Sequence, residues 1–522
     1  MRQAQKILCN TLLLTGASLL MQAVGVIFQV YLSGRIGAEG IGLYQLAMSV
    51  YSLAVTVAIS GVRFAATRLV AEELGLDNPK GTKAVMVRCL WYAAIFGTTS
   101  GVVLFLGASR FAGVWVGDDR CTITLKVLAV GLPFLSMGSA LGGYFTAVQR
   151  VIKSASVQAV EQLIRMAVTV GLFIAFSPKG LGWACAAVAM GSAVGEITAL
   201  GLLWVLYLFD RRRYRHGGRA PKRVTARLMR TALPVAFSAY ARTALSTLQH
   251  LLIPRGLRKS GASAQDAFAN YGIIHGMVFP ILFFPSALLT TLAELMVPEL
   301  TRSQVAGKRA RVDYMVNRVF SLGLLFSVGV AGLLWGFAEP LGMLIYKSTE
   351  AARYLRIFAP LVPVMYMDML TDGMLKGLGE QMSSMRYNII DSLCSVILVY
   401  LLLPRYAVGG YVFMVWFTEM LNFALSVCKL LKITNLTVSI WGHVLRPGLC
   451  IAAAMVFLPP FANLFGLPLA QSGITLTMRM AWGAGLYFIL LVLTGALTRE
   501  DLHWLYTLVS SAKEKPLHTR CN

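Results

Sequence analysis

Residues 143–168 read "GYFTAVQRVIKSASVQAVEQLIRMAV", and residues 373–398 read "GMLKGLGEQMSSMRYNIIDSLCSVIL". Each closes one apolar segment, crosses a short polar loop and enters the next. Each also places an amide and an acid at matching positions, Gln158 opposite Asn388 and Glu161 opposite Asp391. Two further matches accompany this one. "VGEITALGLLWVLY" (194–207) and "FTEMLNFALSVCKL" (417–430) each hold one acid inside an apolar run, Glu196 and Glu419, and "ATRLVAEE" (66–73) stands where "MVPELTRS" (296–303) stands later. Repeats offset by a little over two hundred residues are too long for a solenoid; they are characteristic of transporters whose two bundles rock about a central site.

Composition sets the medium. In 522 residues, 57% are hydrophobic and 13% charged, and the mean hydropathy of +0.68 lies outside the range of soluble globular chains. Apolar runs of roughly 20 residues, the length a bilayer requires, recur from end to end and leave no room for a soluble catalytic domain. The expected architecture is all-α and polytopic. Spans are predicted near 7–32, 41–71, 85–108, 122–146, 156–177, 182–209, 228–253, 271–298, 314–338, 355–376, 385–404, 408–431, 443–465 and 477–498, about fourteen in all. They divide into an N-terminal six-helix lobe (1–209), a basic loop (210–227), a C-terminal six-helix lobe (228–432) and two added helices with a tail (433–522). An even number of spans per lobe makes the repeat parallel, related by an axis along the membrane normal. The run after Lys6 is too long, and lacks a small-residue cleavage site, for a signal peptide; it is read as a retained first helix.

The formal charge of +24 is read through its distribution. With the N-terminus inside, about 28 Lys and Arg fall in cytoplasmic segments against about 13 outside, so both termini are predicted to be cytoplasmic in a bacterial cell membrane. The densest run, "DRRRYRHGGRAPKRVTAR" (210–227), is then a topology determinant that meets anionic headgroups. No basic module with interleaved aromatics accompanies it, so nucleic acid is not an expected partner. The eight cysteines are scattered through apolar runs without C-x-x-C spacing and are read as packing residues, with no metal site or disulfide.

Ionisable residues inside spans cost several kcal/mol unless paired or facing water, so they are where function is expected to show. The candidates are Arg63, Glu161, Arg165, Glu196, Arg242, Glu294, Asp368, Asp372, Asp391 and Glu419. Glu161 and Arg165 are spaced i, i+4 on one helix face, either a self-neutralised pair or a gating element. Asp391, its counterpart, lacks an i+4 arginine and requires protonation or another partner. Arg242 lies too far from either end of its span to snorkel, and Pro234 is expected to break that helix nearby. Pro280, Pro285 and Pro298 are expected to kink the eighth span. Arg68, i, i+4 from Glu72, reads as an anchor, and Arg63 as the deeper cavity residue.

No phosphate-binding G-x-x-x-x-G-K-[ST] loop, G-x-S-x-G elbow, H-E-x-x-H pair or G-x-G-x-x-G fingerprint occurs, so the chain is expected to be neither an enzyme nor a self-contained ATP pump, and no cofactor is expected.

The runs "GAEGIGLYQLAMSVYSLAVTVAISGVRFAATRLVAEE" (37–73), "GGYFTAVQRVIKSASVQAVEQLIRMAV" (142–168), "GEITAL" (195–200) and "YGIIHGMVFPILFFPSALLTTLAELMVPEL" (271–300) resemble the stage V sporulation protein B family. That family falls in the multidrug/oligosaccharidyl-lipid/polysaccharide exporter (MOP) superfamily, with the MATE-like and MurJ-like transporters. The resemblance implies a two-lobed, fourteen-helix fold with a central cavity and alternating access, acting as a flippase for a polyprenyl-linked saccharide. MurJ-type relatives carry charge on the first helix, whereas this chain has none between Lys6 and Arg35. Arg63 and Arg242, with Arg165, are then the expected ligands for a lipid pyrophosphate. Glu161, Glu196, Asp391 and Glu419 are the expected coupling or gating acids for protons or sodium. Alternatives are an ion-coupled multidrug/cation antiporter and a non-transporting scaffold for cell-wall synthesis enzymes.

Overall fold

The computed structural model describes residues 2–76, 78–211, 223–437, 439, 441–464, 472–498, 500 and 501. Residues 212–222 of the basic run, and the tail beyond Asp501, lie outside the described residues. Among those described, every regular element is helical. In chain order these are α1 (Arg2–Ile59), α2 (Val62–Gly75), α3 (Pro79–Arg110), α4 (Cys121–Ala147), α5 (Val151–Phe176), α6 (Leu181–Arg211), α7 (Val224–Lys259), α8 (Ala264–Gly272), α9 (Phe279–Phe283), α10 (Ser286–Val305), α11 (Arg309–Gly336), α12 (Ala338–Tyr346), α13 (Thr349–Phe358), α14 (Val362–Gly377), α15 (Gln381–Ile433), α16 (Arg446–Leu464) and α17 (Gly473–Leu493). By length and apolarity, nine spans qualify among the described residues, or ten if α8–α10 count as one bent span. The sequence places about fourteen, and part of the difference is countable. α1 and α15 each score as single helices although their backbones break at Gly37 and Ala407.

The second predicted span, 41–71, is not continuous. Ser60 (φ 44°) and Gly61 (φ 72°) both take left-handed backbone and separate α1 from α2. A helix that stops inside hydrocarbon leaves carbonyls that water cannot reach. Here hydroxyls supply missing donors, Ser136 to Ala58 O at 2.7 Å and Tyr92 to Ser60 O at 3.1 Å, while Ser100 adds a second donor to Ala54 O at 2.7 Å one turn earlier. The Ser60 Oγ also lies 2.9 Å from the Tyr92 hydroxyl and 2.6 Å from that of Tyr240 on α7. Only glycine fits at 61, because a Cβ there would stand 2.6 Å from Ala232 O.

The second half repeats the device. The eighth predicted span breaks at Phe284–Pro285 with a 59° bend, and Tyr366 donates to Leu282 O just before the break. Pro280 lies in the first turn of α9 and Pro298 lies within α10 without interrupting it. Pro234 does not break its helix either: α7 runs through Pro234 and Pro254. One proline removes one hydrogen bond, and 36 residues of helix absorb that loss. Beyond the breaks, Thr67 donates to Gly143 O (3.1 Å) and Thr301 to Gly377 O (2.8 Å), so the matched sequence blocks make the same kind of contact one helical turn apart in register.

The loops after α4 and α14 also match. Gln149 and Gly379 are left-handed, and the next residue closes the turn, Arg150 N to Phe145 O and Glu380 N to Leu375 O, both at 2.8 Å. Each of these residues then grips the last helix of its half with opposite polarity. Arg150, with Lys153 (3.1 Å) and the Tyr144 hydroxyl (3.0 Å), holds Asp210, which is only 1% exposed. Glu380 holds Lys429 at 3.0 Å and accepts from Ser383 at 2.6 Å. The Ser383 and Lys429 hydrogen bonds keep the Glu380 carboxyl below the usual carboxylate range.

Contacts group the described residues into two compact units, one of Arg35–Gly272 with Val399–Ala407, the other of the chain through Gly34, Ile273–Leu398 and the chain from Val408. The first is built around Leu69, Met86, Leu141, Tyr144 and Phe145. In the second, α16 and α17 dock on α11. Tyr487 donates to Leu325 O at 2.7 Å and fills the space a side chain at Gly329 would need. Asp313 and Asn317 at the start of α11 hold Asn435 and Thr437, and Arg318 pairs with Asp501 at 2.8 Å. The two added helices are therefore an integral part of that unit.

Removing one partner of a buried ion pair strands its mate. Asp210→Ala is expected to lower unfolding stability by about 3 kcal/mol, measured by thermal or denaturant unfolding in nanodiscs. Glu380→Gln is expected to cost little, and because the Glu380 pKa is depressed on folding, its small deficit at pH 7 closes as pH falls below about 4.

Candidate functional site

The sequence-predicted site residues fall into three groups. The first surrounds the break at Ser60–Gly61. Arg63 lies three residues beyond Ser60 on α2, and Arg242 lies two residues beyond Tyr240 on α7, so the Ser60–Tyr240 hydrogen bond joins the two elements that carry them. A second tie, Thr56 to Thr243 at 3.2 Å, holds the last turn of α1 to α7. Both arginines are exposed, and neither makes an ion pair among the described residues. Arg68 does pair with Glu72 (3.0 Å), and Arg227 ties Glu72 (2.7 Å) and buried Glu73 (2.9 Å) to the start of α7.

The second group lies where α5 meets α6. Gly191 and Gly195, a G-x-x-x-G pair, let the helices close. A Cβ on Gly195 would stand 3.3 Å from Arg165 Cβ and 3.4 Å from Glu161 Cγ. Glu161 and Arg165 pair at 4.0 Å, as the i, i+4 spacing predicts. Glu196, one residue past Gly195, is within electrostatic reach of both. This group holds two acids against one arginine.

The third group belongs to the other unit and joins α14 to both parts of α15. Ser384 and Asn388 donate to Asp372 (2.6 and 3.3 Å), Lys376 lies 3.9 Å from it, and Asn422 donates to Asp368 at 2.8 Å. Asp391 and Glu419 are electrostatic neighbours of Asp368 or of each other and make no ion pair among the described residues. Ser426 also stands within hydrogen-bonding reach of the Asp368 carboxylate, so this acid has an amide and a hydroxyl beside it. Sequence reading found the acids but not Asn422 or Ser426, whose signal is the i, i+4 spacing of Thr418, Asn422 and Ser426 on one helix face. Glu294, also a candidate, is exposed on α10 and joins none of these groups.

The free charges thus separate. Among the candidate residues, the arginines without an ion pair, Arg63 and Arg242, lie in the 35–272 unit, and Asp368, Asp391 and Glu419 lie in the other. An arginine fork is suited to phosphate oxygens, and a cluster of carboxylate, amide and hydroxyl oxygens to a proton or a hard cation.

The family model described as "Polysaccharide biosynthesis protein" matches residues 7–285, more than half of the chain. The chain belongs to the polysaccharide biosynthesis protein family. The MatE family model matches residues 262–401. Stage V sporulation protein B of Bacillus subtilis (strain 168) is 24% identical over 507 residues, covering 95% of this chain and 97% of that one. Lipid II flippase MurJ of the same organism is 20% identical over 404 residues, 72% and 74% of the two chains. Among solved structures, a lipid II flippase MurJ in an inward closed conformation matches with a TM-score of 0.68 at 11% identity, over 94% of this chain and 100% of that one. An inward-facing multidrug resistance MATE family transporter of the MOP superfamily matches with a TM-score of 0.59 at 16% identity, over 79% and 93%. This family member is a multi-pass membrane protein with the MATE/MurJ-like fold, and the relatives whose names state an activity are flippases and transporters, not enzymes.

Arg165→Ala leaves Glu161 and Glu196 without a countercharge. It is expected to reduce stability by about 2 kcal/mol, and Glu161→Gln added to it is expected to restore most of that loss, measured as a double-mutant cycle by thermal unfolding.

Proposed function

We propose that the protein is a flippase of the bacterial cytoplasmic membrane, both termini inside, that moves a polyprenyl-linked saccharide across by alternating access of its two lobes, residues 1–209 and 228–432. The observation that carries this reading is the pair of exposed, unpaired arginines, Arg63 and Arg242, flanking a broken helix in a family named for polysaccharide biosynthesis. A lipid pyrophosphate is an anion that must leave the headgroup layer, and paired guanidinium groups replace its lost hydration with forked hydrogen bonds. Likeness to a lipid II flippase supports a peptidoglycan or polysaccharide precursor as cargo.

Energy comes from a cation or proton held by Asp368, Asn422 and Ser426, with Asp391 and Glu419 adjusting the charge. The same acid-rich cluster favours the second reading, an ion-coupled antiporter for organic cations. Membrane lipids contact the surface, and the basic loop 210–227 would meet anionic headgroups or cell-wall synthesis enzymes.

In vesicles loaded with a polyprenyl-pyrophosphate saccharide, Arg63→Ala with Arg242→Ala is expected to slow flipping by about a hundredfold, from the loss of two charge-assisted contacts. Undiminished flipping sinks the arginine-clamp reading, and export of a cationic dye by the same vesicles establishes the antiporter. Asp368→Asn is expected to abolish dependence on a sodium or proton gradient while the variant still binds cargo; retained dependence places coupling elsewhere.

A further inference from the structure

The repeat register that sets Glu161 opposite Asp391 also sets Gly42 opposite Gly272 and Ala38 opposite Phe268. These four residues meet one another. A Cβ added to Gly42 would lie 2.0 Å from Phe268 O and 3.2 Å from Gly272 N. One added to Gly272 would lie 2.1 Å from Ala38 O and 2.6 Å from Gly42 N. The contact is self-complementary: each glycine faces the other and the carbonyl four residues before it, as in an isologous interface of a two-fold dimer. The local pseudo-two-fold axis therefore passes between Gly42 and Gly272, backbone against backbone, within the Arg35–Gly272 unit.

The surroundings are dry. Ile41, Leu43, Ala267 and Phe268 are at most 1% exposed, and Tyr271 is 2% exposed. Gly42 and Gly272 lie in helices whose backbone groups are already hydrogen-bonded within the helix, so parting them exposes no unsatisfied donor. At the axis itself backbone meets backbone, with no side chain between Gly42 and Gly272. Gly42 opens the second predicted span and Gly272 the eighth, at the end opposite the Glu72–Glu73–Arg227 cluster.

We propose that the Gly42–Gly272 contact is a separable seal, closing one mouth of the translocation path on its pseudo-symmetry axis and parting when that mouth opens. The inference rests on the alternating-access reading above, and the orientation proposed there makes this mouth extracytoplasmic.

Hydrogen exchange in lipid nanodiscs tests the seal without reference to cargo. Gly42→Val is expected to speed exchange in residues 38–46 and also in the partner segment 264–272, and Gly272→Val in the same two segments, each by roughly tenfold or more through overpacking. Gly42→Ala and Gly272→Ala are the milder variants should valine prevent folding. Combined, the two substitutions should add less than the sum of their single effects, because they open one contact. Unchanged exchange in the partner segment, or an equal rise throughout the α4–α6 core, overturns the proposal. Flipping in vesicles is read separately: a wild-type protein that moves no polyprenyl-linked saccharide refutes the cargo while the exchange result still decides the seal.

Discussion

A helix interrupted within hydrocarbon must hand its freed carbonyls to side chains, and much of this structure follows from how that is done at Ser60–Gly61. Tyr92 and Ser136 come from α3 and α4, so the break can exist only while those helices pack against it. Tyr240 then ties α7 to the same serine. The break sets the direction of α2 and the position of Arg63, while the tie sets where Arg242 stands. The second half obeys the same rule with different residues, Tyr366 serving Leu282 as Ser136 serves Ala58.

Charge is arranged with equal economy. Where an acid is structural it is gripped, as Asp210 is by Arg150, Lys153 and Tyr144, or Glu73 by Arg227 and Asn78. Asp391 and Glu419 by contrast make no ion pair among the described residues, and under the proposed function their protonation or cation binding couples transport. The reversed polarity of the Arg150–Asp210 and Glu380–Lys429 clasps shows that the two halves conserve a contact geometry without conserving its signs.

Much of this was legible in the sequence because hydrocarbon makes polar residues conspicuous. The repeat, the Glu161–Arg165 pair, the Arg68–Glu72 pair and the acids of both clusters all announced themselves as polar letters in apolar runs. Neutral polar residues did not. Asn422 and Ser426 raise no alarm in a hydropathy profile, yet they complete the site around Asp368. Prolines do not mark the breaks reliably in either direction. Pro234 lies within an unbroken helix, whereas Ser60–Gly61 interrupts one without a proline, since the left-handed turn depends on hydroxyl donors that are distant in sequence. The docking of α16 and α17 was likewise hidden, because it depends on Tyr487 meeting Gly329, two residues with no local signal.

The central claim is that the unpaired arginines of this fold receive a lipid pyrophosphate. Native mass spectrometry of the purified protein, offered polyprenyl pyrophosphate, polyprenyl monophosphate and an organic cation in competition, tests it most directly. The account predicts a preferred pyrophosphate adduct that is lost when Arg63 and Arg242 are both alanine. A preferred organic-cation adduct, or a pyrophosphate adduct indifferent to those substitutions, would contradict it.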